Sequence, residues 1–248
     1  LSKDIEFKDV TDNLVCFGIF GPKSRKLLSK IFKEDFSNEN FKFGSGKNIN
    51  LDSKSFWVQR LSYVGELGFE LYVENDKALE IYNKIVDIGK DFQLSHCGAH
   101  AMDVMRMESG FLHWGHDISP EDNQYQAGLN FAIDYKKKFN FIGKEKLLKI
   151  KGKKLDRRLI MLILKNSSPG NPLLYHEEPI YLENDIIGKT TSGNYSFNFK
   201  KNLSFGYIKS NLTNEDLMKR NMYIEIEKRK YPVKILTKPL KQNKFKYI

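Results

Sequence analysis

The apolar and polar positions in the first half of the chain predict strands and helices in mixed order. Residues 13–32 fit a strand, a Gly-Pro turn and a helix, because apolar residues recur three and four positions apart after the turn. Two further strands are predicted at 55–64 and 69–75, where apolar and polar residues alternate as in a half-buried strand. The stretch 61–73, which runs from the end of one strand into the next, contains two glycines and two glutamates, and Gly65 and Gly68 favour a turn between the strands.

Helices are predicted where apolar residues return to one side of a 3.6-residue turn. In the first helix that side consists of Leu27, Leu28, Ile31 and Phe32. A second helix is expected at 76–90, with Asp76 as its N-terminal cap and Gly89 at its end. Its apolar side is expected to consist of Leu79, Tyr82, Ile85 and Val86. Further helices are predicted at 98–110 and 141–151.

The pattern changes at about residue 152, where short strands separated by turn residues begin. This part of the chain predicts a small all-β barrel or jelly-roll-like domain. The whole chain is therefore assigned to the α+β class. A basic, glycine-containing segment at 149–156 is the predicted boundary, which gives domains at 1–150 and 151–248.

The composition describes a globular chain with excess positive charge. It has 248 residues, 40% of them hydrophobic, and a formal net charge of +10. The lysines are scattered and no nucleic-acid-binding motif accompanies them, so no nucleic acid partner is expected. A polyanionic ligand is the alternative explanation of the charge.

The expected location follows from apolar runs and cysteines. No apolar run approaches the roughly 18 residues of a membrane span, and the first residues lack a signal-peptide pattern. Cys16 and Cys97 are far apart in sequence and are predicted to be small buried side chains without a disulfide. We therefore expect a soluble, unsecreted, cytoplasmic protein without a membrane partner.

Motifs for metal binding or nucleophilic catalysis are not evident. His96 and His100 are four positions apart, and His113 and His116 are three apart, but no further metal-binding motif supports either pair. No metal is therefore expected. The sequence also lacks a nucleophile elbow and the glycine patterns that bind dinucleotides or nucleotide phosphates.

The turn between the predicted strands offers a different kind of chemistry. Gly65 and Gly68 would permit positive φ and a tight reversal, after which Glu70 opens the next strand on its polar face. A carboxylate there, opposite an aromatic residue such as Tyr63 or Trp57, suits a flat heterocycle with adjacent N–H donors. An ordinary hairpin whose glutamates face water is the alternative.

Several motifs together resemble one known family. They are SYVGELGFELYV, then AMDVMRMESGFLHWGHDISPEDNQYQAGL, FIGKEKL and TTSGNYS, followed by the β-rich segment. In this order they resemble the glycine-cleavage T-protein (aminomethyltransferase) family, and more specifically the folate-binding C-terminal half of dimethylglycine and sarcosine dehydrogenases. The resemblance implies a partial aminomethyltransferase-like folate-binding fold followed by a β-barrel domain.

The resemblance also implies a function and a site. It implies an enzyme module in which tetrahydrofolate accepts a one-carbon unit from a small methylated amine or an aminomethyl donor. Glu70 would hold the pterin through two hydrogen bonds, and Tyr63 would line or stack on it. Trp114 and Tyr195 would line the folate channel. Arg106 and Glu108 are interpreted as helix-packing and ion-pair residues rather than catalysts.

The chain departs from the family pattern in two places. Met102 stands where aminomethyltransferases have an arginine, as in the dehydrogenase-linked branch. The family's catalytic aspartate belongs to a segment before residue 1, so no catalytic residue is assigned, and FAD is expected only with a further N-terminal domain. A non-catalytic folate-binding protein of the same fold and a folate-dependent demethylase are the alternatives. The cysteine motif typical of the non-catalytic members is missing from this sequence.

Overall fold

A computed structural model describes residues 5–209 and 211–241 of the chain. It contains two compact units, one formed by residues up to 102 and one by residues 103–241. The strands are β1 (Leu14–Phe20), β2 (Gly46–Leu51), β3 (Lys54–Gln59), β4 (Gly68–Glu74), β5 (Arg158–Leu164), β6 (Pro179–Leu182), β7 (Asp185–Ser196), β8 (Lys201–Ile208), β9 (Met222–Ile226) and β10 (Arg229–Leu236). The helices are α1 (Ser24–Phe32), α2 (Ala78–Gly89), α3 (Ala99–Glu108), α4 (Lys144–Ile150) and α5 (Asn214–Met218). The domain boundary at 149–156 stays a prediction.

The first unit is an antiparallel sheet with helices on one face. Its strand order is β1-β4-β3-β2, and α1 and α2 pack against each other and against β4. The residues of β4 on this face, Phe69, Leu71 and Val73, are completely buried, as the alternation predicted. The predicted apolar side of α1 is buried as well. The core of this unit therefore lies between one face of the sheet and the two helices.

The structure corrects the prediction for α2. The helix begins at Ala78 after a 3-10 turn, and Asp76 makes no side-chain cap, so that part of the prediction was wrong. Leu79 is 71% exposed, whereas Ile81 and Ile85 are buried. Apolar residues lie along two sides of this helix, one containing Leu79 and the other containing Ile81 and Ile85. Packing against the sheet and α1 buries the side that contains the two isoleucines.

The connection between β3 and β4 also differs from the prediction. β3 ends at Gln59, earlier than the predicted end at residue 64, and the Arg60 side chain after it is buried. Gly65 has a positive φ of 67°, as a reversal requires, but Gly68 lies within β4 without one. A Cβ on Gly68 would lie 2.7 Å from the Leu61 carbonyl oxygen and would overlap the Phe20 ring. Gly68 is therefore needed for space rather than for the turn.

The second unit contains a closed barrel with the strand order β10-β5-β8-β7-β6-β9. Neighbouring strands are antiparallel, and Leu162, Ile180, Ile208 and Ile224 are fully buried in the barrel core. A closed barrel removes the exposed sheet edges that an open sheet would leave. The predicted α+β class with a C-terminal barrel is confirmed. Among the described residues, no helix is long and apolar enough to cross a membrane.

Candidate functional site

The candidate site lies on the face of the first sheet opposite the helices. Residues directly opposite one another on paired strands share a face of a sheet. Gly18 and Gln59 are the cross-strand partners of Glu70, and Cys16 and Trp57 are the partners of Tyr72. We call this face the Glu70 surface; it consists of Cys16, Gly18, Phe20, Trp57, Gln59, Gly68, Glu70 and Tyr72.

An aromatic ring lies beside Glu70 because two neighbouring positions have no side chain. Phe20 is the cross-strand partner of Gly68, and its ring occupies the space above both Gly18 and Gly68. A Cβ added to Gly18 would lie only 2.6 Å from Phe20 Cε2. The half-buried Phe20 ring therefore lies close against the backbone on the Glu70 side of the sheet.

The carboxylate of Glu70 has one oxygen engaged within the protein. The Tyr72 hydroxyl donates a hydrogen bond of 2.9 Å to Glu70 Oε2. Burial, followed by the hydrogen bond and charge of Glu70, raises the pKa of Tyr72 well above its usual value, so the hydroxyl keeps its proton. Within residues 5–209 and 211–241, no side chain donates to Oε1. Glu70 therefore presents an acceptor oxygen on a half-buried surface.

Cys16 lies next to this pair, opposite Tyr72. The residue is exposed, so the prediction that it is buried was wrong, and the same holds for Cys97. Partial shielding of the thiol by its neighbours raises the pKa of Cys16, and the negative charge of Glu70 raises it further. The thiol therefore responds to the charge of Glu70.

Tyr63 lies in the loop that leads into β4, and main-chain contacts hold this loop at both ends. The Arg60 amide donates to the Ser45 carbonyl at 2.9 Å. At the other end, the Leu67 carbonyl accepts from the Gly21 amide at 2.8 Å and from Ser24 Oγ at 3.3 Å. The Gly-Pro turn before α1 thus fixes the segment between Tyr63 and Glu70. Tyr63 itself is half-buried.

Arg60 supports the start of the same loop from inside the unit. Its guanidinium donates to Asn38 Oδ1 at 2.5 Å and to the Phe41 carbonyl at 2.7 Å. Arg25 also donates to Asn38 Oδ1, at 3.0 Å. Burial, together with the charge of Arg25, lowers the pKa of Arg60. Asn38 Oδ1 thus accepts hydrogen bonds from both Arg25 and Arg60.

In the second unit, a buried ion pair joins α3 to the loop that follows it. Arg106 is 1% exposed and pairs with Asp117, which is 0% exposed. Asp117 also accepts from Thr191 Oγ1 at 2.5 Å and from Ser192 Oγ at 2.8 Å. Arg106 donates to Asp103 Oδ1 at 2.8 Å. Both charges are saturated by protein groups, which agrees with a structural interpretation of Arg106.

Glu108 has a comparable environment. Its fully buried carboxylate accepts from Ser196 Oγ at 2.6 Å and from Asn198 Nδ2 at 2.9 Å. These contacts fix the end of α3 to the segment at the end of β7. Buried charges that are fully hydrogen-bonded position elements of a fold, so Glu108 is better explained as a structural residue than as a catalyst.

The other two predicted site residues belong to the second unit. Trp114 is 64% exposed and forms a parallel bridge with Ile118. Tyr195 is half-buried, and its ring lies 5.1 Å from that of Phe197 at an angle of 78°. Tyr63 and Glu70, in contrast, lie in the first unit. Tyr63 is in the loop before β4, and Glu70 is in β4 itself. The role of Trp114 and Tyr195 stays a prediction.

The sequence did not point to two aromatic members of the Glu70 surface. Phe20 and Tyr72 were assigned to strands, but neither was assigned to the site. Glycines at Gly18 and Gly68, inside two strands, were the available signal, because a strand glycine often marks close approach of another group. No cluster of three or more metal-ligating side chains occurs in the described part of the chain.

The barrel fold agrees with the family that the chain matches. Residues 1–137 match the GCVT N-terminal domain, and residues 157–241 match the glycine cleavage T-protein C-terminal barrel domain. The chain belongs to this glycine cleavage T-protein family. The family prediction is therefore confirmed.

Individual relatives include both dehydrogenases and transferases. The mitochondrial dimethylglycine dehydrogenase of Homo sapiens is 34% identical over 96% of this chain, which spans 27% of that protein. The aminomethyltransferase of Caldanaerobacter subterraneus subsp. tengcongensis is 34% identical over 83% of this chain and 54% of its own length. The chain thus spans about a quarter of one relative and about half of the other.

A solved structure shows the same fold. It is the crystal structure of the glycine cleavage system aminomethyltransferase T from Bartonella henselae, with a TM-score of 0.77. The match covers 92% of this chain and 60% of that one, at 22% sequence identity. At this identity the similarity establishes the fold and nothing further.

Proposed function

We propose that this chain is a tetrahydrofolate-dependent one-carbon transfer module. The observation that carries the proposal is the carboxylate of Glu70, which has one oxygen free of protein donors and lies on a half-buried surface beside the Phe20 ring. A flat heterocycle with two adjacent N–H groups is the kind of ligand that such a carboxylate and ring would bind.

The pterin ring of a folate fits these two features. Its amino group and the neighbouring ring N–H point in the same direction, so one carboxylate can accept from both. Glu70 Oε1 is available, and Oε2 keeps a second lone pair beyond its bond from Tyr72. Phe20 offers an apolar surface on the same side of the sheet. We also propose Tyr63, Trp114 and Tyr195 as lining residues.

The names of the relatives support a transfer role. One is a dimethylglycine dehydrogenase and another an aminomethyltransferase, and both names refer to the chemistry of carbon attached to an amine. When bound, tetrahydrofolate would supply the nucleophilic nitrogen that accepts the one-carbon unit. The residues of this chain would hold the pterin, orient it and limit the access of water.

The wider reaction of the complete protein is part of the same proposal. The donor would be a small methylated amine or an aminomethyl compound. Oxidation of such an amine would require FAD in a further domain, as proposed from the resemblance to dehydrogenases. The chain spans only 27% of the dehydrogenase relative, so this proposal concerns the transfer module and its partner domain together.

The test is the affinity of the full-length protein for tetrahydrofolate, measured by anaerobic titration calorimetry. Replacing Glu70 by alanine removes two charge-assisted hydrogen bonds, so we expect affinity to fall by about 10- to 100-fold. Glu74→Ala is the matched control, since Glu74 is an exposed glutamate on the same strand and face. Equal affinity of Glu70→Ala and the parent protein would refute the assignment.

A further inference from the structure

Tyr72 is the one side chain of the described residues that donates a hydrogen bond to Glu70. The two residues are two positions apart on β4 and therefore project from the same face of the sheet. The bond of 2.9 Å ends on Oε2 and leaves Oε1 open. Tyr72 thus constrains the plane of the carboxylate without occupying both of its oxygens.

The position of Tyr72 is itself fixed by the sheet. Its cross-strand partners are Cys16 on β1 and Trp57 on β3, so it lies on a central strand with a neighbour on each side. The residues before and after it, Leu71 and Val73, are completely buried on the opposite face. The hydroxyl is therefore held by a rigid strand, as an efficient positioning group should be.

We propose that Tyr72 is a positioning residue that orients Glu70 for ligand binding. The inference rests on the proposed function, because it concerns the same pterin-binding carboxylate. A glutamate side chain has three rotatable bonds, and freezing them on binding lowers affinity. A hydrogen bond already present in the free protein removes part of that loss.

A double-mutant cycle tests the proposal by tetrahydrofolate affinity in the full-length protein. Tyr72→Phe removes only the hydroxyl, and we expect affinity to fall by about 3- to 10-fold. In a Glu70→Ala background, Tyr72→Phe should have no further effect, because the group it positions is gone. Unchanged affinity of Tyr72→Phe, or an equal loss in both backgrounds, would overturn the proposal.

The barrel provides a matched control. Tyr181 donates to Glu225 Oε2 at 3.0 Å, which is the same pairing of a strand tyrosine with a strand glutamate. Tyr181→Phe should leave tetrahydrofolate affinity unchanged. If Glu70→Ala does not weaken binding, the proposed function fails. If Glu70→Ala weakens binding and Tyr72→Phe does not, only the positioning role fails.

Discussion

Loss of the Asp117 carboxylate should be among the most destabilising single changes in the second unit. In Asp117→Ala, Arg106 keeps its contact with Asp103 but loses its fully buried partner. The Thr191 and Ser192 hydroxyls also lose their shared acceptor. Nothing in the substituted side chain can replace the charge or the hydrogen bonds.

The magnitude follows from this loss of partners. Breaking a buried ion pair by removing one member destabilises a protein by about 3–5 kcal/mol. Because the free energy of unfolding of a domain is typically about 5–15 kcal/mol, the change would remove a large part of it. Asp117→Asn keeps one acceptor oxygen and should be milder, at about 2 kcal/mol.

Urea unfolding followed by circular dichroism measures the effect as a shift in midpoint at constant slope. Lys189→Met is the control, since it breaks an ion pair with Glu177 in which both side chains are more than half exposed. Such a pair contributes about 0–1 kcal/mol. If Asp117→Ala lies within about 1 kcal/mol of the parent protein, the buried pair does not support the unit as described.

Two further predictions concern the first unit. Gly68→Ala should destabilise the protein by about 1–3 kcal/mol and weaken tetrahydrofolate binding, because the new Cβ displaces the Phe20 ring. Gly98→Ala, where a Cβ meets no atom within 4 Å, is its control, and equal unfolding midpoints would contradict the argument. Asn38→Leu removes the side-chain acceptor that buried Arg60 shares with Arg25 and should lower the free energy of unfolding by about 1.5–3 kcal/mol. A midpoint unchanged in urea would show that this acceptor is dispensable.

Local pattern was enough to predict much of the fold. The apolar side of α1 and the alternation along β4 are both found as expected, because each depends only on neighbours in sequence. The buried side of α2 was assigned wrongly at Leu79, since two apolar stripes compete on that helix. Packing against the sheet and α1 decides between them, and this information is not local.

At the candidate site, too, some features follow from the local sequence and others depend on contacts between distant segments. Glu70 could be selected from its place after two glycines and from the family motif. Phe20 could not, because its importance depends on the pairing of β1 with β4, which places its ring against Gly68. Tyr72 could be placed on the polar face, but its bond to Glu70 requires side-chain geometry that alternation does not specify.

The two faces of β4 explain why the Glu70 surface can be both open and rigid. Phe69, Leu71 and Val73 are completely buried against the core, so the strand cannot slide by one residue without moving them towards solvent. The same slip would carry Glu70 into the apolar core, where an unpaired carboxylate is strongly unfavourable. Core packing therefore fixes where Glu70 lies, and Tyr72 then sets how its carboxylate is turned. Truncation of Leu71 on the core face should therefore lower stability, whereas truncation of Glu70 on the other face should lower ligand affinity.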